Sequence, residues 1–262
     1  IKTALSEANF YLPRIFIRIR DSLQNSRLFQ KLGSASDLLT VFILPKFSLS
    51  NADADLNAFQ KLDSECKKLY LMPVIGIPSS VNLKTRSHIL YTLKEKLEDI
   101  EEKILNIRVG GNDLCNVFGL RRQVCESIYD LRPIADILSD IMTVFGQDYV
   151  LSGPVWEYYN GTNWKNGLSE ELSKDKTFGF VGKTVIHPKQ ITLVNQAFSV
   201  SLDDYQDALE ILNWNPGHAK LVSGSHRNIR MNEYKTHYNW ALRTKYLADS
   251  YGICSAVQKA CH

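Results

Sequence analysis

Six short runs of Val, Ile, Leu and Phe recur along the chain, separated by stretches whose apolar positions follow helical spacing. The runs are IFIRIR from Ile15, LTVFILPKF from Leu39, LYLMPVIGI from Leu69, ILNIRVGG from Ile104, YVLSGP from Tyr149 and FGFVGKTVIHP from Phe178. They are continuous rather than alternating, as expected of parallel strands covered on both faces. Helices are predicted over Ser22–Lys31, Ala52–Lys67, Thr85–Lys103 and Pro133–Phe145, with a weaker periodicity over Ser169–Lys174. Pro133 suits a helical first turn, and Pro188 can open a helix after the last run. Strand and helix in alternation predict an α/β fold with a parallel sheet.

Beyond Ser201 the pattern changes. SLDDYQDALEIL reads as a helix, Asn215-Pro216-Gly217-His218 as a turn, and MNEYKTHYNWALRTKYLADSYGI as one long amphipathic helix. Trp240, Leu242, Tyr246 and Leu247 are its expected packing residues. The chain is therefore expected to divide into a main domain over 1–199 and a C-terminal helical extension over 200–262.

Two architectures compete for the main domain. A doubly wound sheet usually carries GxGxxG or GxxxxGK[ST] for a nucleotide, and the sequence has neither. A (β/α)8 TIM barrel requires eight strands, and six runs are present. The barrel reading thus expects two N-terminal strands to be missing from the chain.

Composition narrows the partners. With 262 residues, 44% hydrophobic and 23% charged, the chain is globular in character. A formal charge of +3 is too small to argue for nucleic acid. No apolar run is long enough to span a bilayer, and the N-terminus lacks a signal-peptide layout. The five cysteines are scattered and form no CxxC pair, which fits a reducing, cytoplasmic setting.

In a TIM barrel the active site lies at the C-terminal ends of the strands. Those ends carry Arg18 and Arg20, Lys46, Asp113 in GGNDL, Glu157 beyond Gly153-Pro154, and Lys183 with His187. Several cations and a carboxylate meeting at one mouth would suit an anionic substrate beside a divalent metal. Each also has a plainer reading: GGNDL is an ordinary turn composition, Lys46 after a proline suits a solvated loop, and His187 suits a structural role.

GFVGKTVIHPKQI resembles the GFxGKxxIHPxQ signature of the citrate lyase β-subunit and HpcH/HpaI aldolase superfamily. FIRIRD, FILPKF and VGGNDL resemble the family's arginine, LPK and aspartate strands, in the same order. The forms RVGGNDLCNVFGLRR, SGPVWEYY and MNEYKTHYNWA look closest to a divergent bacterial branch of TIM-barrel C–C bond lyases. This resemblance implies a Mg²⁺-dependent lyase or aldolase acting on a small 2-oxo or 2-hydroxy acid, in free form or as a CoA or carrier thioester. Arg18 would clamp the substrate carboxylate, Asp113 would ligate the metal, and Lys46 and Lys183 would join Arg18 in the catalytic set. Gly110, Gly111, Gly153, Pro154 and Glu157 would line the substrate. The family's metal-binding glutamate, at the end of the strand corresponding to LYLMPVIGI, falls here on Gly76. That departure leaves an alternative, an inactive barrel that binds an anion or acts as a scaffold. A homo-oligomer is also expected, with Glu233, Lys235 and His237 on a helix that could cap a neighbouring barrel.

Overall fold

The computed structural model describes residues 14–63, 69–76, 78–214 and 221–254. It divides into two compact units, Ile1–Ile186 and His187–His262.

The first unit holds a five-stranded sheet in the order β1-β2-β3-β4-β5, parallel throughout. The strands are β1 (Ile15–Arg18), β2 (Leu39–Leu44), β3 (Tyr70–Ile75), β4 (Ile107–Val109) and β5 (Leu151–Ser152). Helices α1 (Ser22–Leu32), α2 (Ala52–Asp63) and α3 (Arg86–Glu98) follow the first three strands. Then come α4 (Gly111–Val117) and α5 (Arg132–Phe145) after β4, and α6 (Trp164–Phe178) after β5. Strand order equal to chain order, with a helix at each crossover, is the (β/α)8 scheme carried part of the way round. The fold is an incomplete barrel of that class.

The expected sixth strand is shorter than its apolar run. Phe178 ends α6 and Gly179 caps it with a left-handed φ of 110°, its N–H donating to the Asp175 carbonyl at 3.1 Å. Only then does the chain run beside β5: Val181 N–H donates to Leu151 O at 3.0 Å, Gly153 N–H to Gly182 O at 2.9 Å, and Gly153 bridges Lys183 in parallel.

Burial alternates along β3 and β4, while in β2 Val41 and Phe42 are buried in succession. Leu71, Pro73 and Ile75 of β3, Ile107 and Val109 of β4, and Leu151 of β5 face the helices. Helix α5 answers with Ile134, Ile137, Leu138, Ile141 and Phe145, the spacing of one helical face. The opposite, lumen-side positions of these strands, Met72, Val74, Arg108 and Ser152, are half-buried.

Several elements differ from expectation. GGNDL forms the first turn of α4 rather than a turn alone. The helix expected over Thr85–Lys103 stops at Glu98, and a tighter turn over Glu101–Lys103 brings the chain back towards β4. The end of the helix expected to reach Lys67 lies outside the described residues. Helix α6 is far longer than Ser169–Lys174, because its buried face, Trp164, Gly167, Leu168, Glu171, Leu172 and Asp175, includes two carboxylates that break the apolar pattern.

The second unit begins at His187, ahead of the 199/200 boundary drawn from the sequence, because α7 (Ile191–Phe198) packs against the C-terminal helix. It contains α8 (Leu202–Leu212) and α9 (Tyr234–Tyr251), packed through Ala208, Ile211 and Ala241. A short parallel pair joins β6 (Val200–Ser201) to β9 (Ile253–Cys254), and an antiparallel pair joins β7 (Val222–Gly224) to β8 (Met231–Glu233). MNE is therefore a strand, and the helix starts at Tyr234, where Glu233 N–H donates to His237 Nδ1 at 3.0 Å. The buried face of α9 is Ala241, Thr244 and Ala248; Trp240 and Tyr246 are exposed. Small residues win that face because they allow α8 and α9 to approach closely. The turn expected at Asn215–His218 lies outside the described residues.

Candidate functional site

The C-terminal ends of β2 and β4 bring Lys46 and Asp113 together, with Nζ and Oδ1 3.9 Å apart. Lys46 takes a left-handed backbone, φ 51°, uncommon for a residue with a side chain. Its surroundings fix that kink. Phe47 N–H donates to Val74 O at 3.0 Å, and the Asn51 side chain accepts from Ser48 N–H at 2.8 Å while donating to the Lys46 carbonyl at 3.4 Å. Beside this turn an open groove of about 460 Å³ is lined by Lys46, Ser48, Ser50, Asn51, Pro78 and Ser79.

Asp113 is placed by two glycines. Gly110 N–H donates to Ile75 O at 2.6 Å, drawing the end of β4 against the end of β3. A Cβ on Gly76 would lie 2.7 Å from the Gly110 carbonyl oxygen, and one on Gly110 would lie 3.1 Å from Asp113 Oδ2. The Gly76 position therefore has no room for the glutamate the resemblance calls for unless the β4 end moves. Glu157 approaches from beyond β5: Asn112 Nδ2 donates to its Oε1 at 3.1 Å, and Arg121 Nε lies 3.5 Å from Oε2. The rim thus gathers Lys46, Asn112, Asp113, Arg121 and Glu157 from the ends of three strands.

Other expected site residues sit elsewhere. Gly111 and Pro154 are buried against each other, with a Gly111 Cβ falling 2.6 Å from Pro154 Cβ and Ile128 Cδ1. Gly153 is buried, and its missing side chain leaves room for Asp175, whose Oδ1 would be 2.9 Å from a Cβ. These are packing positions rather than lining ones. His187 belongs to the second unit, where its Nδ1 accepts from Lys189 N–H at 3.2 Å and caps the turn over Pro188–Gln190.

Lys183 departs furthest from the expected rim. Its side chain is 0% exposed, and Nζ donates to Glu171 Oε1 at 2.7 Å and Asp175 Oδ2 at 2.8 Å. Arg122, also buried, pairs with the other Glu171 oxygen, which accepts from Ile128 N–H at 2.9 Å too. Tyr129 donates its hydroxyl to Asp175 Oδ1 at 2.6 Å. Two cations and two carboxylates so balance inside the unit, with the remaining oxygens hydrogen-bonded. Burial raises the Glu171 carboxyl, but Lys183 and Arg122 outweigh it and hold it below the usual range. Burial, then the charge of Asp175, keeps the Tyr129 phenol protonated far above its ordinary range. Buried as it is, Lys183 cannot reach a ligand at the rim; it braces α6 against the strand beside β5.

Sequence reasoning did not single out Arg122. Besides Glu171, it donates to the Val155 carbonyl at 2.7 Å, lies over the Trp156 ring at 5.4 Å, and offers its own carbonyl to Tyr158 Oη at 2.8 Å. It therefore holds the segment on both sides of Glu157. The signal available was the RR pair after GL, followed by the Trp-Glu-Tyr run, but nothing in either names the partner.

Among the described residues, no group of three or more His, Cys, Asp or Glu side chains could hold a metal ion. The donors that fit a hard divalent cation are the Asp113 and Glu157 carboxylates, and Mg²⁺ commonly uses one or two carboxylates plus substrate oxygens. Nor is any helix among those residues long and apolar enough to cross a membrane.

The comparisons with known proteins agree with this architecture. A citrate lyase from Burkholderia xenovorans LB400 superposes with a TM-score of 0.67 at 14% identity, over 97% of this chain and 79% of that one. RipC from Yersinia pestis superposes at 0.52 and 17% identity, over 70% of this chain and 75% of that one. CitE from Mycobacterium tuberculosis, solved with magnesium, acetoacetate and coenzyme A, covers 89% of this chain at 16% identity; at a TM-score of 0.46 the superposition is too loose to place those ligands here. Among curated proteins there is no match. Identities this low show the fold alone. The model of the C–C bond lyases of the TIM-barrel fold, however, matches residues 1–253, nearly the whole sequence, and the chain belongs to that family.

Proposed function

We propose that this family member is a Mg²⁺-dependent lyase or aldolase that makes or breaks a carbon–carbon bond next to a carbonyl in a small 2-oxo or 2-hydroxy acid, free or as a thioester. The observation that carries the reading is the approach of Lys46 to Asp113 across the ends of β2 and β4, where a barrel enzyme keeps its site. Asp113 would hold the metal, with Glu157, bonded to the adjacent Asn112, as a second candidate carboxylate. The metal would supply Lewis-acid polarisation of the substrate carbonyl. Arg18, at the end of β1, would hold the substrate carboxylate through a planar two-pronged contact that lysine cannot match. Lys46 would offset negative charge developing on the substrate oxygen, aimed by its fixed left-handed turn. Arg122 would keep Glu157 in register by donating to the Val155 carbonyl before it and accepting the Tyr158 hydroxyl after it.

A second reading is favoured by the close contact of Gly76 with Gly110, which occupies the place of a second metal-binding carboxylate. Under it the barrel binds an anion without turning it over. Calorimetric titration with Mg²⁺, alone and with oxaloacetate or pyruvate, separates the two. Heat of Mg²⁺ binding that appears with the acid and disappears in Asp113→Asn supports the enzyme; no Mg²⁺ binding under either condition supports the inactive barrel. The homo-oligomer expected from α9 stands as part of the proposal, and a monomer in light scattering would remove it.

A further inference from the structure

Two arginines share the lumen side of the sheet. Arg18 closes β1 and pairs in register with Ile43, which in turn pairs with Met72; Arg108 lies in β4 opposite Val74, one same-face step along β3 from Met72. Side chains alternate along a strand, so all five residues project to one face. Arg18 is exposed and Arg108 half-buried, yet neither forms an ion pair among the described residues. Arg108 Nε is held by Thr184 Oγ1 at 3.0 Å, beside β5. That contact orients the guanidinium and leaves the edge formed by its two terminal nitrogens for another acceptor. Burial, then the charge of Arg18, lowers the Arg108 guanidinium from its ordinary value, which places the two cations within electrostatic reach of each other.

A partly buried cation facing a second cation is costly unless an anion joins them. The surroundings indicate its shape. Between the arginines lie the half-buried apolar side chains of Ile43 and Met72, a floor for a short hydrocarbon spacer. Above Arg108, the next residue on the same face is Gly110, over which the Asp113 carboxylate lies. The geometry points to a diacid site in the lumen: Arg18 and Arg108 bind the two carboxylates of one short dicarboxylic acid, directly beneath Asp113. This rests on and narrows the reading above, because it makes the substrate class dicarboxylic rather than a simple monocarboxylate such as pyruvate. Two forks on separate strands fit two carboxylates set apart on a carbon chain better than the compact tetrahedron of one phosphate.

The test uses the whole chain in EDTA, titrated by calorimetry with succinate, propionate and inorganic phosphate in turn. Succinate is expected to bind at least about tenfold more tightly than propionate, the increment of one further charge-assisted contact. Arg108→Gln should bring succinate down to the level of propionate, and Arg108→Lys should recover only part of the difference. Should Arg108→Gln fail to fold by circular dichroism, Arg18→Gln is expected to give the same loss from the other end. Equal affinity for succinate and propionate, tighter binding of phosphate, or undiminished succinate selectivity in the folded variants would overturn the site. Because EDTA removes any metal, such a failure leaves the lyase reading standing. Loss of the Mg²⁺ response in Asp113→Asn likewise bears on that reading and not on this one.

Discussion

The rim and the interior of the first unit contain the same chemical pairs in opposite settings. At the rim, Lys46 and Asp113 stand 3.9 Å apart with side chains 68% and 41% exposed. Inside, Lys183, Glu171, Asp175 and Arg122 meet at hydrogen-bonding distance with side chains at most 2% exposed. Water screens the first pair, so its attraction is worth about 0–1 kcal/mol and its groups stay free to exchange partners. The interior group has lost its water, so each charge depends on the others and none is available to a ligand. An exposed, weakly held pair can serve binding; a desolvated, saturated one serves architecture.

The strongest way to break this contrast is Lys183→Met. Removing one cation leaves two buried carboxylates with Arg122 as their remaining counter-charge, and a loss of about 3–5 kcal/mol is expected. Thermal denaturation should register it as a fall in Tm of roughly 10 °C. A variant as stable as the parent would mean that the interior group is not a coupled unit.

Asp55 sharpens the comparison from a third setting. It is buried on α2 with no ion pair among the described residues, and burial, then the charge of Asp21, pushes its carboxyl up to about 6. The folded state therefore binds this proton more tightly than the unfolded chain. Its contribution is present below the ordinary value of 3.8 and is lost as pH rises through about 6. Asp55→Asn should stabilise the protein at pH 8 by up to about 3 kcal/mol and have little effect below pH 4. Urea midpoints at those two values check it, and a pH-independent difference would show that Asp55 titrates normally.

Lys46→Ala tests the rim from the other side. It should change stability by less than about 1 kcal/mol while weakening capture of an anionic ligand in calorimetry. A large stability loss would place Lys46 with the architectural charges rather than the binding ones.

Much of the scaffold was legible in the chain. Continuous apolar runs at regular intervals located β1 to β5, and helical spacing located α1, α3 and α5 to within a few residues and the start of α2, because one-dimensional periodicity reports which face of an element is buried. It failed where burial was not apolar. Helix α6 looked weak because Glu171 and Asp175 occupy its inward positions, and a pattern scored on hydrophobicity counts them as outward. The inward face of α9 was misread for a related reason: Trp240 and Tyr246 are large and apolar, yet α8 and α9 approach too closely for them, and alanine fills the contact.

Of the expected site residues, Arg18, Lys46, Asp113 and Glu157 lie at or beyond strand ends, whereas Gly111, Gly153 and Pro154 pack inside and Lys183 is enclosed. Sequence by itself determined the order of strands, the residues at their ends and the family, because motif order and chain order coincide in a parallel sheet with successive crossovers. Only the tertiary structure decided which charges keep their water. Lys46 and Lys183 are both motif lysines near strand ends, but one emerges at the rim and the other is enclosed by Glu171 and Asp175. Desolvation depends on what packs around a side chain from distant parts of the chain, and that is a property of three dimensions.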